Sequence, residues 1–428
     1  MLSKPFLRTL YIHNRQKLFD RLPEQSLAVI NSNDRMPRNG DQFYPYRQHS
    51  DMMYLSGIRQ EQTSLLLFKN AAGDRQEYLF ILRPQPEQEC WEGRKLRKYQ
   101  ATDISGIVTV YYDDEKQRLF NELILQADVI YLNSNENKRF KSDVPYMDIR
   151  FAGMIAEKYP GIATAKLAPL LEQLRLYKEE QELVLMKKAC DITANTFSAI
   201  LPVVKPGMYE YEIEAAITYE FLRQGADGHA YEPIVASGAN ACVLHYITNS
   251  AICRDGELLL LDFGAEYNCY AADCSRTIPV NGRFTQRQKQ MYNAVLRVFT
   301  YAKSLVRPGI TINQIQAEVC RKWEEEHIGL GLYSLHDVKK QETERPMYAK
   351  YFMHGVSHFL GLDVHDVGDK DIPLEPGMVI TCEPGIYVPE ESIGIRIENN
   401  LVVTTEGCRD LMQHIPLDPD EIENLMNR

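Results

Sequence analysis

The sequence predicts an α/β chain of the α+β kind, built as two domains over 1–174 and 175–428, and three observations carry that prediction. Its 428 residues exceed the usual size of one domain, about 150 residues. Residues 25 to 170 alternate short apolar runs with turn clusters: SLAVINS, SLLLFKNAAGD, EYLFILRP, IVTVYYDD and ADVIYLNSN. Runs of this length between helical stretches read as strands of an α/β unit. Near residue 175 the texture changes. After the acidic opening Glu179-Glu180 come Met186, Cys190, Thr193, Phe197 and Ile200, whose steps of three and four describe one helix face.

The elements follow in order. Tyr11, Ile12, Arg15, Leu18 and Phe19 suit an amphipathic helix at the N-terminus, and the basic, acid-poor start reads as that helix rather than as a transit peptide. Pro206-Gly207 ends the helix that opens the second domain. Another runs over 209–224 to stop at Gly225, strands dominate afterwards, and a further helix lies near 285–305.

Composition narrows the function. A hydrophobic fraction of 44% and a charged fraction of 25% describe a chain that can bury a large core. The net charge of −11, without a long basic run, argues against nucleic acid as a partner. Nine scattered cysteines with no C-x-x-C pair read as reduced thiols, which together with the lack of a signal-peptide pattern predicts a cytoplasmic protein. The longest apolar runs, such as Leu258 to Leu261, are too short to cross a bilayer, so no membrane partner is expected.

Three segments carry chemistry. Glu257-Leu-Leu-Leu-Leu-Asp262 reads as a buried strand ending in an acid, and a tight turn at Tyr267-Asn268 would set Asp262 directly opposite Asp273. Downstream, a loop at Pro389-Glu390-Glu391-Ser392 would set Glu383 directly opposite Glu398. Carboxylates so close repel and lose hydration, at a cost of several kcal/mol each, unless cations neutralise them. The segment His354-Gly-Val-Ser-His358-Phe-Leu-Gly-Leu-Asp-Val-His365 adds three of the ten histidines within twelve positions. An oxygen-rich set with one imidazole favours a hard or borderline divalent ion such as manganese over a thiolate-type zinc, and carboxylates shared between two ions suggest a dinuclear hydrolase.

The segments LLLLDFGAEYNCYAADCSRT, HGVSHFLGLDVHDVG, ITCEPGIYV and GIRIENN resemble the pita-bread metallopeptidases, and within them the aminopeptidase P (Xaa-Pro aminopeptidase) branch. FYPYRQHSDMMYLSG and CWEGRKL resemble that branch's noncatalytic creatinase-type N-terminal domain, so the likeness spans nearly the whole chain. The resemblance implies an enzyme that hydrolyses the bond between an N-terminal residue and a following proline. It implies two metal ions, most readily manganese, held by Asp262, Asp273, His358, Glu383 and Glu398. Asp273 and Glu398 would bridge the ions, Asp262 would bind one, and His358 with Glu383 would complete the other. A bridging hydroxide would be the nucleophile and Glu383 the proton carrier. His365 and His245 would face the substrate, to stabilise the intermediate and hold the scissile amide. His354 would wall the proline pocket, and Arg396 would support the acids or join that wall.

The same resemblance keeps other readings in view. Prolidase shares every ligand and would need a cation for the dipeptide's carboxylate. Methionine aminopeptidase usually lacks so long an N-terminal domain. Creatinase and the noncatalytic pita-bread peptide-binding module lack the metal ligands, all five of which stand here. The partner expected is a peptide beginning Xaa-Pro, and the family habit is a homo-oligomer, dimer or tetramer. Trp91, one of two tryptophans, reads either as a packing residue of the N-terminal domain or as a contact to a neighbouring subunit.

Overall fold

A computed structural model describes residues 4–134, 143–342, 344 and 346–427. The chain divides into two compact units, Met1–Arg175 and Leu176–Arg428.

In the first unit the strand Ser26–Asn31 (SLAVIN) is buried along its whole length, as a continuous apolar run requires of a central strand. It pairs antiparallel with Ser64–Lys69 and parallel with Val129–Leu132. Outward from these lie Arg75–Ile81 and Val110–Tyr112 on one side and Ala163–Lys166 on the other, completing a six-stranded sheet. The last, Ala-Thr-Ala-Lys, is a largely exposed edge strand with no apolar pattern to announce it. Leu27, Val29, Leu66, Phe68 and Phe80 form a core with Phe120, Phe151 and Ile155. The N-terminal helix, Lys4–Arg21, buries Leu10, Tyr11, Leu18 and Phe19 and leaves Ile12 half-buried. It also buries Arg15, whose guanidinium donates to the Leu55 carbonyl at 2.7 Å and pairs with Glu77 at 3.0 Å. Trp91 stands 91% exposed on the short helix Pro86–Glu92, which corrects its reading as a packing residue of this unit.

The second unit opens with the helix Glu180–Ile200, where Glu182 reaches back to the Glu179 N–H at 2.8 Å in a capping box. Met186, Cys190, Thr193, Phe197 and Ile200 are all buried on its inner face. The helices Glu210–Arg223 and Gln286–Leu305 follow, the first stopped near Gly225 at φ +80° and the second capped by the Thr285 hydroxyl. Between and after them lie two long hairpins.

The first hairpin pairs Leu258–Asp262 with Ser275–Pro279 and ends in a tip made by Ala265–Tyr267 and Tyr270–Ala271. Its turn is Asn268-Cys269, both left-handed at φ +52° and +64°, and not Tyr267-Asn268. A two-residue turn of this type needs φ > 0 at both central positions, and asparagine tolerates that region where tyrosine does not. Moving the turn by one residue moves each partner by two, so Asp262 faces Ser275 rather than Asp273. A two-residue slip preserves the alternation of faces, and Asp273 stays on the face of Asp262 as its diagonal neighbour.

The second hairpin keeps one register throughout. Val379–Cys382 pairs with Asn399–Val403 and, farther out, Gly385–Val388 pairs with Ile393–Arg396. Both ladders place Glu383 across from Glu398, in the gap where pairing is interrupted. There the Glu383 N–H bonds the Val356 carbonyl at 2.9 Å and the Glu398 N–H bonds the Ser275 carbonyl at 3.1 Å.

Candidate metal centre

Alternation along the two hairpins decides which side chains meet. Asp262, Asp273 and Ser275 share a face of the first, and Thr381, Glu383, Arg396, Glu398 and Asn400 share a face of the second. The faces are held together by mimicry of a strand pair. The Asn400 amide donates to the Asp273 carbonyl at 2.7 Å and its oxygen accepts from the Asp273 N–H at 3.0 Å. Arg276, fully buried, adds bonds to the carbonyls of Glu398, Ser275 and Pro416 at 2.7, 2.8 and 3.1 Å.

The five residues singled out by sequence converge in this space. The Tyr231 hydroxyl lies 2.5 Å from Asp262 Oδ1 and 2.6 Å from Asp273 Oδ1. His358 Nε2 lies 3.3 Å from Asp273 Oδ2 and 3.5 Å from Glu383 Oε1. Ligand atoms of Asp273, His358 and Glu398 fall within 4.8 Å of one another. Burial drives the carboxylates toward the neutral form: Glu383 is pushed up to about 7, and Asp262 and Glu398 are raised as well. Arg396 moderates this, donating to Asp262 Oδ2 at 2.6 Å and to the Ser275 hydroxyl at 2.7 Å, which in turn donates to Glu398 Oε2 at 2.7 Å.

Three features fit this pocket to divalent cations. Four carboxylates, those of Asp273 and Glu398 buried and those of Asp262 and Glu383 partly so, face the guanidinium of Arg396. One hydroxyl hydrogen on Tyr231 cannot satisfy two carboxylate oxygens, and Glu398 Oε1 is buried with no hydrogen-bond partner. His358 Nδ1 lies 2.9 Å from the Phe359 carbonyl, which places a proton on Nδ1 and aims Nε2 at two carboxylates. A ring nitrogen facing two carboxylates calls for a positive charge there, a proton or a metal ion, and although burial opposes charging, Asp273 and Glu383 raise the His358 pKa.

Around this centre lie the other predicted residues. His354 Nδ1 is 3.8 Å from Glu383 Oε2 and 2.9 Å from the Gly355 carbonyl, and its Nε2 is 2.8 Å from the Tyr387 hydroxyl. Burial pushes His354 down to about 3, so it is neutral at physiological pH. Tyr387 receives a 2.7 Å bond from Arg396, which joins His354 to the acids. The His365 ring packs edge-on against His358, centroids 4.5 Å apart. His245 lies on the exposed stretch after the turn Gly238–Cys242. Sequence reasoning missed Tyr231, Ser275, Tyr387 and Asn400. Hairpin parity, with the turn placed at Asn268-Cys269, would have put Ser275 opposite Asp262, and the second hairpin's register puts Asn400 on the face of Glu398.

Comparison with known proteins agrees with this geometry. Residues 184–405 match the model of metallopeptidase family M24, and residues 11–131 match that of the aminopeptidase P N-terminal domain. A Xaa-Pro aminopeptidase of Escherichia coli K12 is 36% identical, with 96% of each chain covered. Among solved structures, zinc-substituted aminopeptidase P from E. coli in complex with product superimposes with a TM-score of 0.89 at 34% identity, covering 98% of both chains. Proline aminopeptidase P II from Yersinia pestis gives the same TM-score and identity over 98% of this chain and 99% of that one.

Proposed function

Because the chain belongs to metallopeptidase family M24 and carries the aminopeptidase P N-terminal domain, we propose that it removes an N-terminal residue from peptides whose second residue is proline. It is a metal-dependent aminopeptidase. The observation that carries the residue assignment is the convergence of Asp262, Asp273, His358, Glu383 and Glu398 on one buried pocket that a cation must neutralise. These five hold two divalent ions, manganese being the choice that their oxygen-rich chemistry favours. When bound, the ions supply an activated water and polarise the scissile carbonyl.

The protein's own groups do the rest. Glu383 accepts a proton and returns it to the leaving proline nitrogen. Asp262 sits where the substrate's α-amine is anchored, which confines cleavage to the first residue. Proline offers no N–H, so recognition by an extended-strand hydrogen bond fails and a shaped pocket must replace it. His354 walls that pocket: both its nitrogens are engaged by Gly355 and Tyr387, leaving the ring as a fixed surface beside Arg396. His365 and His245 face the scissile amide.

Residues 175–428 form the catalytic domain, and 1–174 the noncatalytic domain through which copies associate as a dimer or tetramer. The exposed Trp91 supports that reading of association. The protein works in the cytoplasm. Among the described residues no helix is long and apolar enough to cross a membrane.

The test offers the purified protein a tripeptide beginning Xaa-Pro, the dipeptide Xaa-Pro and a tripeptide lacking proline, with and without manganese. Manganese-dependent release of the first residue from the Xaa-Pro tripeptide alone, or from both proline substrates, is the outcome expected. Preference for the dipeptide by orders of magnitude would make the protein a prolidase. Light scattering at assay concentration decides the assembly, a fully active monomer being the result that removes it.

A further inference from the structure

Behind the His358–His365 pair lies an ion pair with no part in the chemistry described above. Lys178 Nζ lies 3.0 Å from Asp366 Oδ2, and both side chains are only 1% exposed. Charges so placed are costly, because their loss of hydration is hardly repaid by mutual attraction, and well-packed apolar residues of similar volume would be equal or better for stability. The surrounding backbone is cut to fit them. A Cβ on Gly361 would stand 2.1 Å from Asp366 Oδ2 and 2.9 Å from Lys178 Cε, so only glycine admits the pair. The Lys178 N–H is bonded to the Gly377 carbonyl at 2.9 Å, and Gly377 holds φ +92°.

What the pair fixes is the turn that carries His365. The Asp366 N–H donates to the Phe359 carbonyl at 3.0 Å, closing the segment 359–366 on itself. That carbonyl is also the partner of His358 Nδ1 at 2.9 Å. Gly361 and Leu360 tie the same segment to its neighbours, the former accepting from the Ala271 N–H at 2.9 Å and the latter donating to the Val379 carbonyl at 3.0 Å. Asp366 therefore meets His358 through one shared carbonyl, and it adjoins His365, whose ring rests on that of His358. A side chain on an exposed turn keeps a fixed position only if the turn is anchored, and the buried ionic bond at residue 366 is such an anchor one residue from the imidazole.

We infer that Lys178 and Asp366 are positioning residues for the reaction, holding His365 at its working distance from His358 and from substrate. The inference rests on the reading that His365 acts on the substrate. A misplacement of about 1 Å can cost a hundredfold in rate, so the effect belongs in kcat.

The test is a double-mutant cycle read in activity at saturating manganese. Lys178→Met and Asp366→Asn each lower kcat on an Xaa-Pro tripeptide at least tenfold, while KM moves less than threefold and bound metal equals that of the parent. In a His365→Ala background, Lys178→Met costs less than a further twofold, because the group it positions is gone. Should a single variant fail to fold, Lys178→Met combined with Asp366→Leu removes both buried charges and is put through the same two measurements. A folded Lys178→Met protein with kcat within twofold of the parent overturns the inference, as does full multiplicative loss in the His365→Ala background. Unchanged kcat in His365→Ala alone overturns the inference together with the role of His365, which separates the two failures.

Discussion

The two hairpins of the second unit solve one problem in different ways. In the first, Asp262 and Asp273 are diagonal neighbours, and the ladder runs on between them through the bonds from Phe263 to Cys274 and from Ala272 to Ala265, each 3.0 Å. In the second, Glu383 and Glu398 stand opposite one another, a single ladder bond from Ile397 to Pro384 at 3.3 Å remains beside them, and their backbone N–H groups turn to Val356 and Ser275. A diagonal pair separates two carboxylates by several ångströms and costs the sheet little, whereas an opposed pair must surrender strand pairing locally. The second hairpin also leaves an oxygen of Glu398 without a partner and lifts Glu383 to about 7. Its dependence on cations is therefore the greater, and four experiments can break or sharpen that contrast.

The largest effect belongs to Glu383. Glu383→Ala loses several orders of magnitude in kcat while the fold persists, since it removes a ligand and the proton carrier together. A variant keeping more than a tenth of parental activity would refute the assignment.

Next come the two histidines. His358→Ala lowers the metal content, because its Nε2 lies among the carboxylates, whereas His365→Ala slows turnover and leaves the metal content intact. Elemental analysis that finds equal loss in both would end the distinction.

Ser275 belongs to the first hairpin yet orients Glu398 on the second, so it tests whether the two act as one site. Ser275→Ala weakens metal affinity on the order of tenfold, the usual effect of removing a group that orients a ligand. Metal titration showing unchanged affinity would mean that Arg396, Asn400 and Arg276 align the hairpins without it.

The smallest effect is on the stability of metal-free protein. Burial holds the Glu383 pKa above its unfolded value, so in the folded state it binds a proton more tightly and contributes most below about pH 4.5. That contribution is lost as the pH rises through about 7. Thermal unfolding after chelation therefore falls in Tm between pH 5 and pH 8, and manganese restores the loss at the upper end. A flat profile would show that the second hairpin tolerates its opposed acids without cations.

Much of this was legible from residues. The run Leu258 to Leu261 ending at Asp262, and the spacing of His354, His358 and His365, place acids and imidazoles with little ambiguity. Glu383 and Glu398 could be set opposite because the loop Pro389 to Ser392 is symmetric about their register. The first hairpin was misplaced by one turn position because Asn268-Cys269 contains no glycine to mark where φ turns positive. Tyr231 escaped notice because it lies 31 residues before Asp262 in a stretch without periodic pattern. Ser275 and Asn400 are common polar residues whose roles exist only once the hairpins meet. The edge strand Ala163–Lys166 escaped for the opposite reason: too little of it is buried to leave an apolar signature.

The amide of Asn400 that stands in for a peptide group beside Asp273 joins positions 127 residues apart. Contacts so distant along the chain form after local ones, since the intervening loop must first be closed. A polypeptide halted on the ribosome between Glu383 and Glu398 has every histidine of the centre and three of its four acids, yet no finished centre. Synthesis of the second hairpin's return strand is thus the step at which an inert chain becomes able to cut.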